Sequence, residues 1–286
     1  MWTREIEIDF LNKTKELISL EKLLISVRNR HYVFAPKSIG DPITTPQARN
    51  AYIGSYTEKW CKDFFAPLAE ELRLYAINGV ICNELGLTSS SPADLAFCRK
   101  NSIEQKAEDI VLLFEIKMSI VNNYTFKSES NTFTFIGDYT THKGTPSLLR
   151  SDSMLKAIGK SLNIRMASSS GKKIPILIIG NSPISNSYIK KVDHLKQGGV
   201  IQQFISLYPH PTNRTYTLET PIKGFKTYND QKDIFLFIKS ILKEEKVFFS
   251  SMVSERELGK IISICSKEKT DKDKGLKFLE LINEQY

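Results

Sequence analysis

An acid and a lysine two positions apart interrupt an apolar run at residues 108–120, EDIVLLFEIKMSI. A carboxylate or an ammonium is costly to desolvate unless it is paired, so packing alone does not explain Glu115 or Lys117. In an extended strand, residues i and i+2 share a face. Glu115 and Lys117 therefore project side by side after Leu113, while Phe114, Ile116 and Met118 point the other way into a core. The earlier run PADLAFC, residues 92–98, is also β-like and carries Asp94. If the two runs pair, Asp94 and Glu115 meet near one end of a sheet. Two carboxylates and one ammonium at such a point have a chemical use. Carboxylate oxygens are the hard ligands that suit Mg²⁺, with water and substrate phosphate completing its shell. The metal polarises a phosphoryl oxygen and lowers the pKa of bound water. A lysine beside that water orients or activates it and offsets charge growing on the phosphate.

PAD at 92–94 followed by EIK at 115–117 resembles the motif of the PD-(D/E)xK nuclease superfamily, which includes most type II restriction endonucleases. The resemblance covers roughly residues 50–182, in motif order and element order. It implies a restriction-endonuclease-like α/β fold, a mixed β-sheet flanked by helices. It further implies that Asp94 and Glu115 hold Mg²⁺, with Ile116 as a further metal-contacting position, and that Lys117 assists the attacking water. The products implied are 5′-phosphate and 3′-hydroxyl ends. Ala93 separates Pro92 from Asp94, a departure from the motif at a proline often missing in the superfamily. Members also commonly carry an acid on the helix before the first motif strand. Glu58, in GSYTEKW, is the candidate, as an extra metal or water ligand.

The three-residue spelling is weak evidence, because Glu104-Gln105-Lys106, Asp230-Gln231-Lys232 and Glu244-Glu245-Lys246 repeat it. Those copies sit in polar or helical surroundings. Only the Glu115 copy lies in an apolar β-like run with an acid upstream. The plainer readings are a strand with one solvated face, or an amphipathic helix over AEDIVLLFEIKMSI; the β-branched residues speak against the helix. Asp94 in SSSPAD also suits a turn, and Glu58 beside Lys59 and Lys62 suits a solvated helix face. Asp109 is the rival first acid. It lies on the same presumed strand as Glu115, about 20 Å away at ~3.3 Å per residue, too far to share one metal. His31, His142, His194 and His210 have no metal spacing and read as surface or loop residues.

The elements that must position these groups follow from periodicity and punctuation. The first ~30 residues read as helical. FAPKSIGDPITTP, residues 34–46, reads as a loop. AYIGSYTEKWCKDFFAPLAEELRLYAIN repeats apolar residues at Tyr56, Trp60, Phe64 and Leu68 and reads as one helix that Pro67 kinks or divides. Residues 121–147 are rich in Asn, Thr, Ser and Tyr and form short strands or an extended loop. SDSMLKAIGKSLNI, residues 151–164, starts a helix with Ser151 or Ser153 as N-cap. IPILIIGNS, residues 174–182, has the pattern of a buried central strand. A helix around NSYIKKVDHLKQ and a helical tail from about residue 230 follow. The expected organisation is a helical segment over 1–46, a nuclease core over 47–225, and a helical C-terminal part over 226–286 that offers a dimer interface.

The chain's 286 residues carry a net charge of +8, which favours a polyanion partner through counterion release. Lys127, Lys143, Arg150, Lys156, Lys160, Arg165, Lys172 and Lys173 follow the motif and are candidate phosphate contacts on double-stranded DNA. The segment 121–147 has side chains suited to base edges. A two-fold target site suggests a homodimer. No apolar stretch approaches the ~20 residues of a membrane helix. The polar N-terminus is unlike a signal peptide. Cys61, Cys82, Cys98 and Cys265 are scattered, which suits a reducing cytosol and neither zinc nor disulfides, and the resemblance to restriction enzymes implies a prokaryotic cytoplasm. The sequence therefore points to a Mg²⁺-dependent, sequence-specific DNA endonuclease of the type II restriction kind. The alternatives are a repair or junction-resolving nuclease of the same superfamily and a non-catalytic DNA-binding module.

Overall fold

The structure, a computed structural model, describes residues 1–38, 46–209, 217–244, 248 and 253–284. The expected loop over 34–46 and His210 therefore lie partly or wholly outside the described residues.

Acids in the first turn and lysines in the last suit the dipole of α1 (Arg4–Lys15). The expected helix over the first ~30 residues does not continue. After the single turn of α2 (Leu20–Leu23), β-branched Ile25 and Val27 form β1 (Ile25–Val27), which pairs with β2 (Arg30–Tyr32). Arg28 and Asn29 turn the hairpin at φ 49° and 62°, as a two-residue primed turn requires. The long helix α3 (Gln47–Glu71) contains Pro67 and is not divided by it. It stops at Leu72, earlier than its periodicity suggests. Arg73 takes φ 57°, and residues read as helix become β3 (Tyr75–Val80). The reversal is a tertiary effect, since β3 pairs antiparallel along its length with β4 (Ala93–Cys98).

The chain continues through β5 (Ile110–Ile116), β6 (Asn123–Lys127), β7 (Thr132–Gly137), α4 (Ser151–Ala167), β8 (Ile176–Gly180), α5 (Ile189–Gln197), β9 (Gln203–Ser206), β10 (Phe225–Thr227) and α6 (Gln231–Lys243). Strands β9 and β10 are too short to announce themselves in the sequence. Arg150 occupies the N-cap of α4 without a side-chain cap bond, so neither Ser151 nor Ser153 caps it.

Six strands form one mixed sheet in the order β10-β9-β8-β5-β4-β3. β3, β4 and β5 run antiparallel, whereas β5, β8, β9 and β10 run parallel. β8, every residue of it buried, is the central strand expected at 174–182. The pleat sorts β5 between two cores. Leu112, Phe114 and Ile116 pack with Phe65 and Leu68 of α3 and Ile234 and Ile238 of α6. Leu113 packs on the other side with Met154 and Ala157 of α4 and Val192 of α5. The polar segment 121–147 contributes β6 and β7 to a separate antiparallel sheet ordered β1-β2-β6-β7.

The chain divides into two compact units, Met1–Phe248 and Phe249–Tyr286, so α6 belongs to the first. In the second, α7 (Glu255–Cys265) and α8 (Asp271–Glu284) share a small core of Ile261, Cys265 and Ile282. Among the described residues no helix is long and apolar enough to cross a membrane.

Candidate active site

The register of β4 on β5, Leu95 opposite Phe114 and Ala96 opposite Leu113, brings Asp94 beside Glu115 when continued one step. The main-chain N–H of Ile116 donates to Asp94 Oδ2 at 2.7 Å. Lys117, just past the end of β5, stays in line because its N–H donates to the Ile179 carbonyl of β8. Its ammonium lies 2.5 Å from Glu115 Oε1 and 3.4 Å from Asp94 Oδ2. The three residues that carry the motif are thus brought together on the face the strand period assigns to them.

A fourth charged group completes the cluster. Leu113 and Glu115 face α4, and Lys160 on that helix reaches between the two acids. Its Nζ lies 3.1 Å from Asp94 Oδ1 and 2.7 Å from Glu115 Oε2, and it donates to the Pro92 carbonyl at 2.7 Å. Lys160, expected among the phosphate contacts, is instead engaged by carboxylates. Helical spacing placed it on the same helix as Lys156, but only the packing of α4 on β5 shows that the two point to different surroundings. Lys156 is exposed and pairs with Asp152.

Asp94, Glu115, Lys117 and Lys160 are each one-fifth exposed or less at the side chain. Burial raises the Glu115 pKa above the usual carboxylate value, and Asp94 adds to the rise against the pull of Lys117 and Lys160. Burial works against the Lys117 ammonium too, yet Asp94 and Glu115 together outweigh it and raise its pKa. Lys117 therefore holds its proton firmly.

Glu58 comes from α3, half-buried, with no ion pair or hydrogen bond to its carboxylate among the described residues. Burial raises its pKa first and the charge of Asp94 second. Lys117, Lys160 and Glu115 also act on it through their charges, so it lies near the cluster, although no group of three or more metal-ligating side chains occurs among the described residues. The residue that ties its helix to the acids escaped the sequence reading. Asn78 Nδ2 donates to the carbonyls of Asp94, at 2.8 Å, and Glu58, at 3.1 Å. Gly79 follows at φ +68°, and the β3–β4 pairing skips from Asn78 to Val80 there. That irregularity frees the Asp94 carbonyl for the Asn78 amide. Asn78 lay in a segment read as helix, so no sequence signal pointed to it.

No protein-family model matches this chain, and no curated protein or solved structure matches it significantly. The chemistry of the cluster therefore stands on its own geometry. Two carboxylates and the Ile116 carbonyl form a hard-oxygen donor set of the kind Mg²⁺ takes with few protein ligands. Their mouth already holds a cation, the Lys160 ammonium, so the cradle fits a positive charge once that ammonium withdraws. The Ile116 carbonyl accepts from Lys117 Nζ at 3.1 Å.

The other sequence expectations divide. Lys127 is exposed at the end of β6, and Lys143 and Arg150 are exposed on the loop into α4. Arg165 is not a phosphate contact. It is 1% exposed, spent on the carbonyls of Val200, Gly171 and Ile174 and on Gln202. His142 is no surface histidine. It is buried, stacked on Phe34 at 4.1 Å, with Nε2 at the Val121 carbonyl. The segment 121–147, expected to read bases, spends much of itself on packing: Asn122, Asn123, Tyr124, Phe126, Phe133 and Tyr139 are buried.

Proposed function

We propose that this chain is a Mg²⁺-dependent endonuclease of double-stranded DNA, resembling the PD-(D/E)xK superfamily and of the site-specific type II kind. The observation that carries the reading is the convergence of Asp94, Glu115 and Lys117 within 2.5–3.4 Å at the end of two paired strands. A partly buried ion cluster adds little to stability, since desolvation offsets the attraction. Its retention in an apolar strand is better explained by chemistry than by folding.

Asp94 and Glu115 would hold the divalent ion, with the Ile116 carbonyl beside them. When bound, such an ion supplies polarisation of a phosphoryl oxygen and a lowered pKa for coordinated water. Lys117, beside both acids, would position the attacking water and stabilise charge on the phosphate. Glu58 suits the task of accepting a proton, because it has a raised affinity for one and no ammonium partner among the described residues. Lys127, Lys143 and Arg150 supply positive charge to a DNA backbone, and the net charge of +8 favours that partner.

A second reading, binding without cutting, is favoured by Lys160, which together with Lys117 neutralises both acids. One experiment separates the two. The purified chain is incubated with plasmid DNA and Mg²⁺, then again with excess EDTA. Discrete bands that vanish with chelator support site-specific cutting. A smear or junction-only cutting supports a repair nuclease, and a retarded, intact plasmid supports the binding module.

A further inference from the structure

A cavity of about 350 Å³ has a different chemistry from this cluster. Its polar lining includes Arg49, Asn50, Ser119, Lys143, Thr145 and Arg150, and no acid lines it among the described residues. The elements that build it also build the cluster. α3 supplies Arg49, Asn50 and Ile53 here and Glu58 farther along, about 7.5 Å from Ile53 at 1.5 Å per residue. Ser119 follows Lys117 in the chain, and Arg150 caps the helix that carries Lys160.

Arg49 gives the cavity its character. Its guanidinium is 1% exposed and stacks over the Phe34 ring at 4.6 Å. Nη1 donates to the Leu23 carbonyl at 3.3 Å and to the Val33 carbonyl. Nη2 is buried with no partner, and no carboxylate pairs with Arg49 among the described residues. A buried positive charge without a counter-charge is costly, and a planar fork with a free nitrogen matches a phosphate oxygen. The opposite wall is tightly set. A Cβ on Gly144 would come within 2.5 Å of the Phe34 ring, so only glycine lets the 143–146 segment lie against it. Arg150, with Asp152 at 3.5 Å as a loose partner, and Lys143 stand at the exposed rim. α4 starts there without a side-chain cap, adding the partial positive charge of a helix N-terminus.

We propose that this cavity binds a phosphate group of the nucleic-acid strand whose scissile bond sits at the carboxylate cluster. The recognised chemistry is phosphate, from an internal phosphodiester or a 5′-terminal monoester. The ligand's origin in nucleic acid rests on the nuclease reading, whereas the affinity for phosphate does not.

The test uses the full chain, with inorganic phosphate first. Thermal melting is followed from 0 to about 20 mM phosphate against chloride at matched ionic strength, where screening is equal. Wild type and the charge-matched control Lys190→Ala/Lys232→Ala should melt progressively higher in phosphate. Lys143→Ala/Arg150→Ala, at the rim and away from the buried Arg49, should lose that rise while melting normally in chloride. A second arm measures duplex binding in EDTA, where nothing is cut. The rim variant should bind about tenfold or more weakly, with the slope of log K against log salt reduced by about two. If 5′-phosphorylation tightens wild-type binding about tenfold and leaves the rim variant unmoved, the ligand is the terminal monoester. If the rim variant weakens both duplexes alike, it is the internal diester. Phosphate that stabilises no more than chloride, or equally in the rim variant, overturns the site. Phosphate binding without any duplex binding overturns the nucleic-acid assignment. Loss of cutting alone bears on the nuclease reading and leaves phosphate binding to be read independently.

Discussion

Asp94, Glu115, Lys117 and Lys160 form a closed square of two acids and two ammoniums. If a divalent ion takes up Asp94 and Glu115 as proposed, Lys160, whose ammonium lies between them, competes with it. Lys160→Met should tighten Mg²⁺ or Mn²⁺ binding about tenfold in calorimetry without DNA. It should also lower stability in EDTA by ~2 kcal/mol, because two facing carboxylates lose a shared counter-charge. Weaker metal binding in that variant would show that Lys160 supports the ion instead. In the proposed reaction Glu58 carries the pH dependence. Its pKa lies above the ordinary glutamate value, through burial and then Asp94, so its carboxylate forms only as pH rises past that raised value. A rate that depends on it as proton acceptor rises with pH through that range. Glu58→Gln should remove this limb and slow cutting by roughly 10²-fold, read from single-turnover rates across pH. An unchanged pH profile would exclude the role.

At the scale of elements, the site depends on three fastenings. Asn78 joins β3 to β4 and α3, so Asn78→Ala should shift Glu58 against Asp94. The expected result is slower cutting with duplex affinity kept within about twofold and a stability loss of ~1 kcal/mol. The second is the fully buried Glu7 of α1. It accepts from Trp2 Nε1, the N–H groups of Val121 and Asn122, the Asn122 amide and the Tyr124 hydroxyl. Burial raises its pKa despite those bonds. The folded protein thus binds this proton more tightly than the unfolded chain. Stability from Glu7 is full below the unfolded value and falls as pH climbs toward the raised folded one. Urea unfolding of Glu7→Gln should show a flatter dependence in that window, together with a loss of ~1–3 kcal/mol where the amide meets donors. The third is the packing of α4 on β5, which delivers Lys160. Strands β4, β5 and β8 and helices α4 to α6 were legible because their periods are long or their apolar runs continuous. β3 was not, since the same residues continue the helical spacing of α3 until pairing with β4 overrides it. The acids and Lys117 were legible because charge in an apolar strand needs a reason. Lys160, Asn78 and Arg49 were not, because each acquires its role only from a partner distant in sequence.

For the whole molecule, the larger unit carries the cluster, the basic cavity and both sheets, while α7 and α8 form a unit of their own. Cutting both strands of a symmetric site calls for a two-fold pair of chains. Sedimentation of the 32.6 kDa chain on a palindromic duplex should therefore give a complex with two copies; one copy per duplex would contradict the dimer. The proposed cutting of a phosphodiester by Asp94, Glu115 and Lys117 with a divalent ion is tested most directly by the rate of plasmid linearisation in Mg²⁺ for wild type and Lys117→Ala, with duplex retention measured in parallel in EDTA. Wild type should give discrete, chelator-sensitive products, and Lys117→Ala should retain the duplex while cutting at least about 10²-fold more slowly. Wild-type rates in Lys117→Ala, or no Mg²⁺-dependent product from wild type under conditions where it binds DNA, would contradict it.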